Sequence, residues 1–505
     1  MSKQKVFNLN DFRKKEIQPS NKFETSTPGG HTGYYGPLGK AGEVLAERRW
    51  LLLGIALLAV ICLMPTPEGL SDKGKYALGL WVFVIICFLT EAVPLPMTAM
   101  IIGSYQVISG IGSFQEVPRT FMDDAVIFIM GVLMMGAMLV KYNIHNKIAL
   151  YMLKISGTRI DRVVLGIVAF CALSAGFVTE HATVTIMLPI GAGIVSLSGG
   201  IKKAPRLGKL IMLAIAYGVI VGGVASPSGG ARNALMLSFL STKGINVGYG
   251  QWMLMAMPFT LIMIPVVAFW LLKLFKPEVN DLKDVLEAIK EEMDADGPMT
   301  AGAKVASGIF LAVLLSWVLF SRDFGAGNIA MIGIVLATVL RLVDWQYLQQ
   351  KTQWGVVVLY AGAVSMGKML VTTGAASWLA EQLLWVAAAV GVTKNLPLLA
   401  TTTAITALTT NAMPDGPTVA VLGPIFIQAA ELAETSPFAI GVATSLGSAL
   451  SYLLIIATPA NAIVYGPGFL KVTDFLKAGA MLFILSMLLM IVVLAGLWWR
   501  ILGIW

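Results

Sequence analysis

From residue 50 onward the chain is a series of apolar runs parted by short polar breaks. Runs at about 50–66, 76–93, 95–111 and 124–141 approach the ~20 residues that a helix needs to cross a bilayer, and each reads as a span. The segment 143–162 differs. Asn143, His145, Lys147, Lys154, Arg159 and Arg162 alternate there with apolar residues, which predicts an amphipathic helix on the membrane surface. Two runs too short to span comfortably follow, at 163–178 and 184–198, joined by the polar tip Thr179-Glu180-His181-Ala182-Thr183. This pattern predicts a re-entrant hairpin. Segments 207–221 and 233–242 then flank a Gly/Pro/Ser-rich break at 222–230. A broken helix at membrane depth is tolerated only where it lines an enclosed or watery cavity. Residues 252–276 form another span.

The second half repeats the plan. Spans fall at about 304–321, 328–343 and 354–372, then a hairpin at 396–411 and 417–433. A broken helix at 437–457 and 462–469 and a last span at 474–499 complete it. Val126 to Leu139 matches Val357 to Leu370 at six of fourteen positions, with an offset of 231. Thr183 with Pro189-Ile190 recurs as Thr418 with Pro424-Ile425, offset 235, and Asn233 recurs as Asn461, offset 228. Agreement among three separate offsets points to an internal duplication. Eleven spans, an odd number, place the two halves in opposite orientation, which is the plan of an inverted-repeat transporter.

Composition narrows the class. The 505 residues are 57% hydrophobic and 13% charged, against about 25% charged in soluble proteins. Of the charged residues, 14 lie in 1–49 and 13 in 273–304. A soluble enzyme and a disordered protein are both excluded; the expected class is an all-α polytopic membrane protein. Lysine and arginine concentrate on one side of the spans, placing the N-terminus in the cytoplasm and the C-terminus outside. Residues 1–49 read as a cytoplasmic tail with a short surface helix near 41–50 and no cleavable signal, and 277–303 as a charged helical linker. The net charge of +8 follows that orientation pattern rather than a nucleic-acid surface. Cys62, Cys87 and Cys171 suit neither a disulfide frame nor a metal site. With three histidines and no His-Glu-x-x-His, no enzyme constellation is present, and no cofactor is expected beyond a coupling sodium ion or proton.

Half-helix N-termini at such breaks favour an anion, and exposed carbonyls favour a cation. Gly222-Gly223 with Gly230-Ala231-Arg232-Asn233 resembles the first broken helix of the divalent anion:sodium symporter family. Ala457-Thr458-Pro459-Ala460-Asn461-Ala462-Ile463 resembles its second, and Glu91-Ala92-Val93-Pro94-Leu95-Pro96 and the Pro-Ile hairpin ends are similar too. The resemblance covers about residues 48–500. It implies an eleven-helix, homodimeric elevator transporter in a bacterial inner membrane. It also implies scaffold parts at 50–162 and 304–395, and moving transport parts at 163–276 and 396–505. Its substrates would be dicarboxylates, citrate or sulfate, moved by cation symport or by anion exchange.

The family's Ser-Asn-Thr motif at each hairpin tip is replaced here by Thr179-Glu180-His181 and Pro414-Asp415-Gly416, and Arg232 stands where a proline is expected. Arg232 is the natural partner for Glu180 or Asp415, or a direct anion ligand. Glu180 and His181 could form a protonatable pair, and a static ion pair is the plainer alternative. Asn233 and Asn461 could offer amides to substrate or cap the broken ends. Thr179, Thr183, Thr418, Ser226 and Thr458 offer hydroxyls; Asn411 could serve the second tip; Gly416 and Pro459 complete the substrate set. Coupling sodium is expected at Gly222, Gly223, Ser226, Ala457 and Thr458, or protons at Glu180, His181 and Asp415. A cation/proton antiporter, with acidic tips binding the cation, is the rival reading. Lys368 reads as a snorkelling or paired lysine.

Overall fold

The structure, a computed structural model, describes residues 48–504 except 284, 286, 288–296, 390 and 393. Residues 41–47 of the surface helix expected near 41–50, and the centre of the charged linker, lie outside the described residues; Arg49 and Trp50 open helix Arg49–Leu63. Among the described residues the fold is helical, with an isolated bridge between Arg159 and Asp281. Nine of these helices are long and apolar enough to cross a membrane, and Arg49–Leu63, Leu95–Ile108 and Ala326–Val339 are shorter apolar helices. Helix Pro205–Gly222 is central, with 83% of its apolar window buried, whereas Ala301–Phe324 and Val472–Ile501 bury 28% and form the apolar exterior.

Local chemistry sets several starts. Ser71 and Thr300 each accept a backbone N–H three residues on, capping Asp72–Thr90 and Ala301–Phe324. Several segment bounds differ from the sequence reading. The stretch 143–162 is not one helix: Ile144–Ser156 stops at Gly157, at a φ of 75°, and Ile160–Phe177 begins afresh as the first hairpin arm. Both arms of that hairpin, Ile160–Phe177 and Glu180–Leu197, are 18 residues long, more than the apolar pattern gives. The second broken helix stops at Ser448 rather than 457, because side-chain amides take the carbonyls that would continue it. Its other half is Pro459–Tyr465 rather than 462–469, since proline suits a helix's first turn. Helix Ala375–Ala389 is absent from the sequence reading altogether.

The duplication is visible in the packing. Ile144–Ser156 and Ala375–Ala389 stand 231 residues apart, as do Leu95–Ile108 and Ala326–Val339. Helix Asp124–Lys141 packs on Ala326–Val339, and its repeat partner Trp354–Thr372 packs on Leu95–Ile108. Gly131 closes on Ala330 in the first pair, and Gly362 closes on Ala99 in the second. Such reciprocal contacts are those of a two-fold relation between the halves. Small residues let the backbones approach where lipid offers no hydrophobic drive.

Candidate functional site

Both hairpin tips and both breaks line one cavity of about 460 Å³. The first tip is fixed by Thr179, whose extended backbone and side-chain oxygen cap helix Glu180–Leu197 by accepting from the Ala182 N–H at 3.2 Å. Pro414 precedes helix Asp415–Leu432 without a side-chain cap. Glu180 and Asp415 therefore occupy first-turn positions, where the helix dipole favours a negative charge. Arg232 sits in the first turn of Ala231–Ser241, where that dipole disfavours a positive charge, so it needs anionic partners.

It has two. Arg232 Nη2 donates to Glu180 Oε1 at 2.7 Å, and Nη1 donates to Asp415 Oδ2. The side chains are 2%, 11% and 16% exposed, respectively. The planar fork of arginine reaches both tips at once, which a lysine could not. Arg232 Nε has no hydrogen-bond partner. Arg232 is the cationic side chain of the lining, against the carboxylates of Glu91, Glu180 and Asp415, with His181 beside them. Phe128, Val132, Leu359 and Ile455 form an apolar wall. Tyr360 also lines the cavity, and its hydroxyl fills the space that a Cβ at Gly416 would need.

Other sequence candidates are spent on holding the breaks open. Asn233 donates to the carbonyls of Gly223 and Ser226, both at 2.8 Å, and accepts from Ser445. Asn461 donates in the same register to Ser451 and Leu454, at 2.8 and 3.0 Å, but its Oδ1 is buried without a partner. Asn411 bridges the second tip to the second break through Leu450 O and Leu453 N. Ser226 donates to Gly176 O, Thr183 to Thr179 O, and Thr418 to Pro414 O. Thr458 Oγ1, at the cavity wall with Pro459, is buried without a partner. Gly222 and Gly223 pass so close to Ala172 and Glu180 that neither position has room for a side chain, and Ala457 is buried behind the wall.

Two features escape the sequence reading, and Lys368 takes one of the two roles expected of it. Tyr249 bonds both Ser226 and Ser228 at the first break and stacks on Trp317 with ring centroids 5.4 Å apart. Of the two alternatives for Lys368 the structure shows the pair: its ammonium meets Asp123 at 2.5 Å, and Ser238 donates to the same carboxylate at 2.9 Å. A second cavity of about 430 Å³, with Asp123, Asp124 and Arg322 on its wall, shares Phe128 and Pro227 with the first. Charge complementarity at residue 368, an intramembrane lysine, was the one signal the sequence offered for these.

Comparison with known proteins places this geometry. The model of the sodium:sulfate symporter transmembrane region matches residues 46–505. The sodium-dependent dicarboxylate transporter SdcS of Staphylococcus saprophyticus is 24% identical over 481 residues, covering 90% of this chain and 92% of the relative. SdcS of Staphylococcus aureus is 23% identical over 482 residues, covering 90% and 91%. Among solved structures, the Alcanivorax borkumensis YdaH transporter shares the fold at 14% identity and a TM-score of 0.53, covering 91% of this chain and 98% of that one. The chain belongs to the sodium:sulfate symporter family. It is an integral, multi-pass, secondary-active anion transporter and not an enzyme.

Proposed function

We propose that this family member carries small carboxylates, dicarboxylates foremost, across a bacterial inner membrane together with a cation. The observation behind this reading is the meeting of both hairpin tips and both breaks around Arg232 in one cavity. The substrate carboxylate takes the guanidinium from Glu180 or Asp415 and gains the free N–H groups that open helix Ala231–Ser241. Thr179, His181, Thr458 and Pro459 stand round it on the cavity wall. The dicarboxylate class is suggested by the names of the staphylococcal relatives.

The second break is the better seat for a co-transported sodium ion. Thr458 Oγ1 and Asn461 Oδ1 are buried oxygens there without hydrogen bonds, whereas Ser226 at the first break is already bonded to Gly176 and Tyr249. Protonation of Glu180, His181 or Asp415 is the competing source of coupling. Eleven spans in an inverted repeat, dimerisation, and an elevator movement of the parts 163–276 and 396–505 against 50–162 and 304–395 complete the reading. The expected result is uptake of labelled C4 dicarboxylates into proteoliposomes, driven by an inward sodium gradient and lost in choline. Sodium or lithium efflux driven by protons, with no anion uptake, would overturn it.

A further inference from the structure

The charge of the cavity does not suit a plain dianion. Its wall carries one guanidinium and three carboxylates. Both terminal nitrogens of Arg232 are occupied, by Glu180 and by Asp415. The carboxylates are not used up in return. Glu180 gives one oxygen to Arg232, and no described residue donates to its Oε2. Asp415 Oδ1 receives the N–H of Gly416 alone, at 2.6 Å. Arg232 Nε, on a side chain 2% exposed, is left without a partner. Two opposite charges at a few Å attract strongly in such a poorly solvated site, and like charges repel as strongly. A dianion arriving here gains one cation and meets an excess of acid.

A ligand that brings its own positive charge meets both. Its carboxylate replaces one tip carboxylate on Arg232, and its ammonium takes up the oxygen so released together with the acceptor oxygens already open on Glu180 and Asp415. The open acceptor oxygens of the two tips suit an organic cation with three N–H donors. The apolar wall of Phe128, Val132 and Leu359 takes the carbon skeleton. We infer that the preferred substrate is an aminocarboxylate, with Arg232 receiving its carboxylate and the paired tips Glu180 and Asp415 receiving its ammonium. An aminodicarboxylate keeps a net charge of −1 and is still an anion. The inference rests on the reading of this cavity as the anion site.

The test is thermal stabilisation of the purified full-length protein in sodium at neutral pH by matched ligands, since a ligand that binds the native state raises its melting temperature. Aspartate is set against succinate, glutamate against glutarate, and N-acetylaspartate serves as the form without a cation. The amino acids should reach half-maximal shift at concentrations at least about ten-fold lower than their partners, and acetylation should remove that advantage. Glu180→Gln and Asp415→Asn should each bring the ratio toward one. Succinate or glutarate binding as tightly as its amino analogue to the unmodified protein overturns the inference and leaves the anion site standing. No shift with any of these anions overturns both.

Discussion

Arg232 and Asp415 lie 183 positions apart in the chain, yet the guanidinium of one pairs with the carboxylate of the other, joining the first broken helix to the second hairpin tip. With Glu180 on its other side, Arg232 ties three separate polar features into a single charged unit. A buried charge that loses its partner is costly, which gives the first prediction. Arg232→Ala leaves two carboxylates unpaired and should destabilise the protein by about 3–5 kcal/mol. Adding Glu180→Gln and Asp415→Asn to the same chain should restore most of the lost melting temperature.

Asn233 and Asn461 hold the two breaks by the same pair of backbone bonds. Replacing either with alanine strands one buried carbonyl, Gly223 O or Ser451 O, at about 1–3 kcal/mol for the unsatisfied group, while Ser226 O and Leu454 O keep the N–H groups of Gly229 and Ala457. The two differ in their remaining oxygen, which is bonded in Asn233 and free in Asn461. Asn461→Ala should therefore also raise the sodium concentration for half-maximal uptake, while Asn233→Ala should leave that value unchanged.

The reciprocal contacts Gly131–Ala330 and Gly362–Ala99 predict sensitivity to a larger side chain at both positions. Gly131→Val and Gly362→Val should each overpack their helix pair and cost about 1–3 kcal/mol. Ala330→Gly should relieve the first, read as recovery of melting temperature, whereas Ala99→Gly should leave the second destabilised, because the Ala99 backbone Cα stands 2.6 Å from the added Cβ.

Glu278, beyond the end of helix Tyr249–Leu274, accepts the Arg206 and Leu207 N–H groups at 2.9 and 3.0 Å and so caps helix Pro205–Gly222. Slight burial pushes its pKa up, but these backbone bonds outweigh it and hold the carboxyl below its ordinary range. A depressed folded-state pKa stabilises above the unfolded value, and that contribution is lost as pH falls through the folded one. Glu278→Gln should thus lower the melting temperature at neutral pH, with the gap to the unmodified protein closing below about pH 4.

How much of this was legible in the sequence follows from the physics of each element. Long apolar runs and Gly/Pro/Ser breaks have few alternatives in a membrane, so the order of spans, hairpins and breaks could be read directly. Helix Ala375–Ala389 could not, because its one acidic residue, Glu381, gives none of the polar alternation that marks its repeat partner Ile144–Ser156. The stop at Ser448 depends on amides from Asn411 and Asn461, contacts that no local pattern encodes. Arg232 could be named as a partner for either acid, but its grip on both at once needed the fold. Tyr360 gave no signal beyond an aromatic in an apolar run.

The most direct measurement compares two charge-altered proteins that differ only at Arg232. One carries Glu180→Gln and Asp415→Asn and keeps the guanidinium; the other adds Arg232→Gln. Binding of unsubstituted dicarboxylates such as succinate is titrated to both in sodium. The account predicts binding by the first at least as tight as by the unmodified protein, and a loss of about a hundred-fold in the second, in keeping with a buried bidentate carboxylate–guanidinium contact. Equal binding by the two proteins would contradict it, because the substrate's negative charge would then be held somewhere other than Arg232.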